Sequence, residues 1–291
     1  KSKFKKAQDL ELEKNYQASA EEYEKFAQQN PKAELSTAAI FNAAINFERA
    51  GFNQKAMGYH QATLASNNKS ADPLKTKSRR ILAKLYQDSG QLEEAAKLFH
   101  AAGVEAGKDP LAMNYFNNAA VIYEALGQHK EALANYSEYY ELNKKSDRYE
   151  VLFQVAQIHR RLGQKSQATE QFEEFLNHTE LSEKSIEASY WIYNYYLSMN
   201  KQKDAEKWKQ KTFFMQRKLS PQKAGPGAQW VAKILVSDIN VDYQEFVNAK
   251  ISSDPSKQKK TLDKKIGLLS EFNKKLAEII KFNSADEIVS S

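Results

Sequence analysis

Residues 116–136 read FNNAAVIYEALGQHKEALANY. Phe116, Ala119, Ala120 and Tyr123 stand three and four apart, one apolar stripe of an α-helix. Gly127 then ends that helix, free to take the positive φ that such an end requires. Beyond it Ala132, Leu133 and Tyr136 open a second stripe, continued by Tyr139 and Tyr140. The spacing predicts a helix A over about 113–126 and a helix B over about 130–143. Ala120 and Ala132 let two helix axes approach closely, while Phe116, Tyr123 and Tyr136 fill the gaps beside them.

The same pattern occurs six times. The turn residues are Lys14, Gly51, Gly90, Gly127, Gly163 and Asn200, spaced 37, 39, 37, 36 and 37. A small residue follows each by five positions: Ser19, Ala56, Ala95, Ala132, Ala168 and Ala205. The second unit carries Ile40, Ala43, Ala44, Phe47 and Thr63; the third carries Leu82, Ala83, Tyr86, Phe99 and Ala102. The fifth has Leu152, Val155, Ala156, Phe172 and Phe175. The first keeps Tyr16, Tyr23, Phe26 and a terminating Pro31, and the sixth keeps Ile192 and Tyr196. Asn tolerates the left-handed region nearly as well as Gly, so Asn200 serves the last turn. A short fixed period implies stacked units, and such arrays bind partners more often than they catalyse. The units predicted are 1–34, 37–70, 76–109, 113–146, 149–182 and 186–218.

Composition agrees. With 10 Gly and 6 Pro in 291 residues, the chain lacks the turn chemistry of an all-β fold. The excess of 43 Lys and Arg over 37 acids, net +6, is too modest to argue for nucleic acid. Cysteine is absent, which excludes disulfides, thiolate zinc sites and Cys nucleophiles. It fits an oxidising compartment such as a periplasm without excluding the cytosol. No apolar run of transmembrane length occurs. The chain starts at Lys1 rather than Met, so a processed form or an excised part of a longer protein is expected.

The series Phe116, Ala119, Ala120, Tyr123, Gly127, Ala132, Tyr136 resembles the tetratricopeptide repeat (TPR) family, and the likeness covers about residues 1–215. The resemblance implies an all-α, right-handed superhelical solenoid of about six TPR-like units. The period is longer than the usual one of the family, and Phe26, Tyr139 and Phe175 replace its last alanine of helix B. Long-period units of this kind look similar to those of bacterial cell-envelope, motility and secretion scaffolds. The resemblance further implies that helix A lines a concave, partner-binding face. Its residues here are Phe41, Asn42, Ile45 and Arg49; Lys77, Arg80, Lys84 and Gln87; Asn114, Asn117, Asn118 and Val121; Phe153, Gln157, Arg160 and Arg161; Tyr190 and Asn194. Asn can pin the backbone of an extended peptide, and Arg and Lys favour acidic side chains. The family's clamp for C-terminal carboxylates would need Lys or Asn or Arg where this chain has Phe4, Gln8, Asn42, Lys77 and Ile81; two of the five match, so that clamp is not expected.

After about Leu219 the pattern stops at Pro221, Gly225, Pro226 and Gly227, which places a domain boundary between 1–219 and 220–291. Two helices are predicted in the extension, over 229–250, with a break near Ile239–Val241, and over 257–283. The second carries Leu262, Leu269 and Leu276 at seven-residue spacing. These helices either cap the last repeat or dock and dimerise. Residues 284–291 are expected to be loose.

No catalytic set, cofactor site or metal site is expected. No two of His60, His100, His129, His159 and His178 stand three or four apart, and packing explains His60 and His159, which occupy aromatic slots. Phosphate-loop, dinucleotide and nucleophile-elbow motifs are missing. Glu21–Glu22, Glu93–Glu94 and Glu173–Glu174 read as solvated surface. The triplets at Asn68, Asn135 and Asn177 occur at chance frequency and imply no glycosylation. The run Tyr190-Trp191-Ile192-Tyr193-Asn194-Tyr195-Tyr196 points all round its helix, so that helix is either sandwiched or exposes an aromatic patch. A protein or peptide partner is the leading expectation. Helical-repeat binding of nucleic acid is the alternative, through Lys201, Lys203, Lys207, Lys209, Lys211, Arg217 and Lys218; the unequal side chains Ile45, Lys84 and Val121 at one repeat position disfavour base reading.

Overall fold

The structure, a computed structural model, describes residues 2–67, 72–222 and 224–282. Asn68, the expected helix end at 283 and the terminus 284–291 lie outside them. The described residues fall into two compact units, one within 1–145 and one within 146–291.

The first unit comprises α1 (Ser2–Leu12), α2 (Tyr16–Gln29), α3 (Ser36–Arg49), α4 (Asn53–Leu64), α5 (Asp72–Asp88), α6 (Leu92–Ala106), α7 (Leu111–Ala125) and α8 (His129–Leu142). The second opens with a 3-10 turn (Ser146–Glu150). There follow α9 (Val151–Arg161), α10 (Lys165–His178), α11 (Glu183–Ser198), α12 (Gln202–Leu219), α13 (Ala228–Asn248) and α14 (Pro255–Ile280). Within each unit successive helices pack as hairpins on their chain neighbours, an all-α, TPR-like arrangement.

One turn builds all six hairpins. All six turn residues have positive φ: Lys14 61°, Gly51 83°, Gly90 79°, Gly127 72°, Gly163 73° and Asn200 55°. At Gly127, its N–H donates to the Glu124 carbonyl at 3.0 Å and the Gln128 N–H donates to the Tyr123 carbonyl at 2.8 Å. These are the paired bonds that close a Schellman cap. Gln128 is also the N-cap of α8, and its carbonyl accepts from the Ala132 N–H at 3.0 Å. Only three residues thus separate the end of one helix from the start of the next. Equivalent carbonyls of Asn15, Phe52, Gln91, Gln164 and Lys201 accept from Ser19, Ala56, Ala95, Ala168 and Ala205.

That bond fixes the small residue one turn into helix B, where the hairpin is narrowest. Ser19, Ala56, Ala95 and Ala132 are fully buried there. Ser19 fits because its hydroxyl donates to the Ala7 carbonyl at 2.8 Å, satisfying the one polar atom that distinguishes it from alanine. Large side chains flank the small ones: Tyr23, Phe26, Phe47, Leu82 and Met57 belong to one core of the first unit. Phe26 and Phe175 are both buried.

The second unit resolves two alternatives. No residue of the aromatic run 190–196 is exposed, and Trp230 of α13 lies 5.1 Å from Tyr190 and 5.9 Å from Trp191 between ring centroids. The run is therefore sandwiched. The first half of α13 covers α11 and α12: Val231, Ala232 and Ile234 are buried, Lys209 pairs with Asp238 at 2.6 Å, and a Cβ at Gly227 (φ 78°) would collide with Ile186. The expected break near Ile239 is not found; α13 runs through it, because Ile239 is buried, Asn240 faces solvent, and neither Gly nor Pro interrupts the segment. Beyond that point α13 packs on α14 through Tyr243 against Phe272 and through an ion pair of Asp242 with Lys275.

Three substitutions test this geometry. Ala132→Leu and Gly163→Val should each destabilise by roughly 1–3 kcal/mol, the first by overpacking and the second by forcing a branched residue to positive φ. Lys14→Gly should instead raise stability by up to about 1 kcal/mol by relieving a left-handed lysine. Thermal unfolding of the three variants reads both signs.

Candidate functional site

The helix A row of the first unit assembles into an open groove of about 760 Å³. Asn42 and Arg49 come from α3, and Lys77, Arg80 and Lys84 from α5; Phe41, Ile45 and Ile81 supply apolar walls and Tyr115 of α7 a further one. Helical spacing brings the polar residues together: 42 and 49 are two turns apart, as are 77 and 84. The groove lining carries four cations against two carboxylates, Glu11 and Glu48.

The cations differ in what they are free to do. Arg49 is engaged by Glu11 at 2.7 Å and lies 5.5 Å from the Tyr16 ring centroid. Glu11 also accepts from the Tyr23 hydroxyl at 3.4 Å. Burial, followed by the Glu11 charge, pushes the Tyr23 phenol up to about 12, so it stays a donor throughout the physiological range. Burial likewise raises Glu48, opposed by Arg49. Lys84 bonds Asp88 at 2.8 Å on the exposed surface, a pair of little energetic weight. Lys77 and Arg80 are exposed and form no ion pair among the described residues; Arg80 rests 5.7 Å from the Tyr115 ring centroid.

Asn114 and Asn118 of α7 are exposed one turn apart and Asn117 is half-buried, but none of the three lines this groove. In the second unit the structure corrects one expectation: Gln157 is not an open groove residue. It is 6% exposed, and its amide donates to Glu187 at 2.6 Å while its carbonyl accepts from the Arg160 Nε at 2.9 Å. The Arg160 guanidinium stacks 3.9 Å from the Trp191 centroid, so it is a structural cation as well as a surface one. Arg161 is exposed, and Asn194 donates to its own helix at the Tyr190 carbonyl, 2.9 Å away. Arg160 and Asn194 line one cavity with Trp191.

Other candidates turn inward. His60 is fully buried, its Nδ1 3.1 Å from the Ser78 hydroxyl and its ring edge-on to Phe41. Asn135 is buried between His100 and its own helix. Among the described residues no three His, Asp or Glu side chains converge as a metal site would require, and no helix is long and apolar enough to cross a membrane. The basic stretch of α12 is broken up: Lys209 is held by Asp238, and Lys211 lies 4.1 Å from the Trp208 centroid, its ammonium pushed down by burial.

No family model and no curated protein matches the chain. Among solved structures, it is similar to the C-terminal part of a TPR repeat-containing protein from Cytophaga hutchinsonii, at 14% identity over 91% of this chain and 95% of that one, TM-score 0.45. It is also similar to MamA, at 17% identity over 66% and 98% with TM-score 0.44. YrrB, described as a TPR protein with an unusual peptide-binding site, matches at 20% identity over 68% and 93%, TM-score 0.43.

His60 supplies a pH test. Burial holds its imidazole down to about 4, against 6.5 for the free side chain. The unfolded chain therefore takes up a proton first, and stability that is complete above pH 6.5 falls as pH drops toward 4, by roughly 2–3 kcal/mol. Thermal unfolding should follow that slope in the native chain and lose it in His60→Gln.

Proposed function

We propose that the chain is a non-catalytic protein-interaction scaffold: a TPR-like array over 1–219, with a helical extension over 220–291, that holds an acidic segment of another protein on its helix A faces. The groove of the first unit supports this reading through one observation. Lys77 and Arg80 project beside the apolar side chains of Phe41, Ile45 and Tyr115, and among the described residues no carboxylate pairs with them. An acidic partner with apolar side chains would satisfy both features, and Asn42 would offer hydrogen bonds to its backbone. Asn114, Asn117 and Asn118 would extend the contact along α7. A bacterial envelope, motility or secretion setting rests on the likeness of the long-period units alone.

Lys77→Glu with Arg80→Glu should leave thermal unfolding unchanged, because both side chains are exposed and unpaired, and should weaken acidic peptides selected from a random library by about tenfold or more. Selection of neutral or basic peptides, or unchanged affinity, would contradict the reading. Steep salt-dependent binding of random oligonucleotides instead would favour a nucleic-acid partner.

Self-association through the C-terminal helices is a second reading. Val247 and Tyr243 of α13 and Leu262, Ile266 and Leu269 of α14 are all more than 40% exposed, the last three at the four- and three-residue steps of a coiled-coil seam. If this face joins two copies, Ile266→Asp should convert a sedimenting dimer to monomer; a native chain that sediments as a monomer at high concentration excludes it.

A further inference from the structure

A cavity of about 420 Å³ lies within the second unit between the end of α9, the first two turns of α10 and the second half of α11. Its size suits one bulky side chain or a small organic molecule. Phe172 and Ala168, both buried, form its apolar floor, and Trp191 forms a wall. Two cations stand on its lining, Arg160 and Lys165.

Neither cation has an ion pair among the described residues. Arg160 is held in place without a direct ion pair. Its Nε donates to Gln157 and its plane lies against Trp191, while Glu187 accepts on one oxygen from Gln157 at 2.6 Å and from the Trp191 indole at 3.2 Å and forms no ion pair with Arg160. This leaves the outer guanidinium nitrogens as donors with their orientation fixed. Arg160 is also partly stripped of water, which disfavours its charge; the Glu187 carboxylate offsets part of that and the neighbouring Arg161 adds to it. A pre-oriented, incompletely solvated guanidinium beside a second cation and above an apolar floor is complementary to an anion on an apolar body. The Asn194 side chain, which donates one N–H to Tyr190, keeps its carbonyl oxygen for a further hydrogen bond.

We propose that this cavity is a binding site for a carboxylate carried on an apolar or aromatic body, with Arg160 and Lys165 taking the carboxylate and Phe172 and Trp191 the apolar part. The carboxylate can belong to a peptide, an acidic residue beside an aromatic one, or to a free organic acid. The peptide source rests on the scaffold reading above; the pocket itself does not.

The test uses the full chain with four probes: phenylpropionate, its amide, and short blocked peptides containing Phe-Glu or Phe-Gln. Calorimetry gives affinity, and the Trp191 indole N–H resonance, assigned through Trp191→Phe, reports occupancy. The acid is expected to bind at least about tenfold more tightly than the amide, and the Phe-Glu peptide to exceed Phe-Gln by a similar factor. Arg160→Met keeps an apolar stem against Trp191 and removes the charge, and Lys165→Met alters an exposed side chain. Each should reduce acid binding about tenfold; Lys165→Met should leave thermal unfolding unchanged, whereas Arg160→Met also removes the donor to buried Gln157 and should lower it. Equal affinity for acid and amide, acid binding unaffected by Lys165→Met, or no binding of any probe would overturn the site. Binding of phenylpropionate without Phe-Glu upholds the site and assigns it to free acids. Loss of peptide binding in Lys77→Glu/Arg80→Glu alone bears on the first-unit groove and not on this pocket.

Discussion

The left-handed residue between paired helices is the constraint on which each hairpin depends. It reverses the chain in three residues, and it does so by letting the residue after it both close the cap of one helix and serve as the N-cap of the next. So short a link leaves the helices no freedom to separate. Their closest approach then falls at a set position, five residues beyond the turn, and only a side chain as small as alanine or serine is accommodated there. The aromatic residues are the complement of that restriction, filling the volume that opens as the helices diverge.

This explains why the hairpins were legible in the sequence while the grooves were only partly so. A local bond pattern writes itself into local spacing, so even Lys14 and Asn200, which are not glycines, were identifiable from their distance to Ser19 and Ala205. The placement of His60 in an aromatic slot followed from the same count. Chemistry that depends on contacts between distant segments left no such mark. Glu11 reaches Arg49 across 38 residues and Gln157 reaches Glu187 across 30, and neither pairing is implied by periodicity. The row of helix A polar residues was therefore recognisable as a row, while its division into side chains engaged within the fold, such as Arg49 and Gln157, and ones without an ion pair among the described residues, such as Lys77 and Arg80, required the fold.

The same distinction accounts for the tail. Its helices were readable, but the break near Ile239 was not real, since Asn240 at an exposed position costs a helix little. What α13 does was decided by Trp230, which meets two aromatic residues some forty positions earlier. The dense aromatic run of α11 is thus the inner half of a packing layer whose outer half comes from outside the repeats.

Neighbour-only packing has a kinetic side. Within each unit a helix finds its main contacts in the elements immediately before and after it, so little loop entropy is spent before contacts form. Such a chain has low contact order: hairpins can nucleate at several places and grow by addition, and the first hairpin, α1 with α2, packed only on α3, opens more often than those that follow it in its unit. Amide exchange would therefore be graded along the first unit, fastest at α1, instead of uniform.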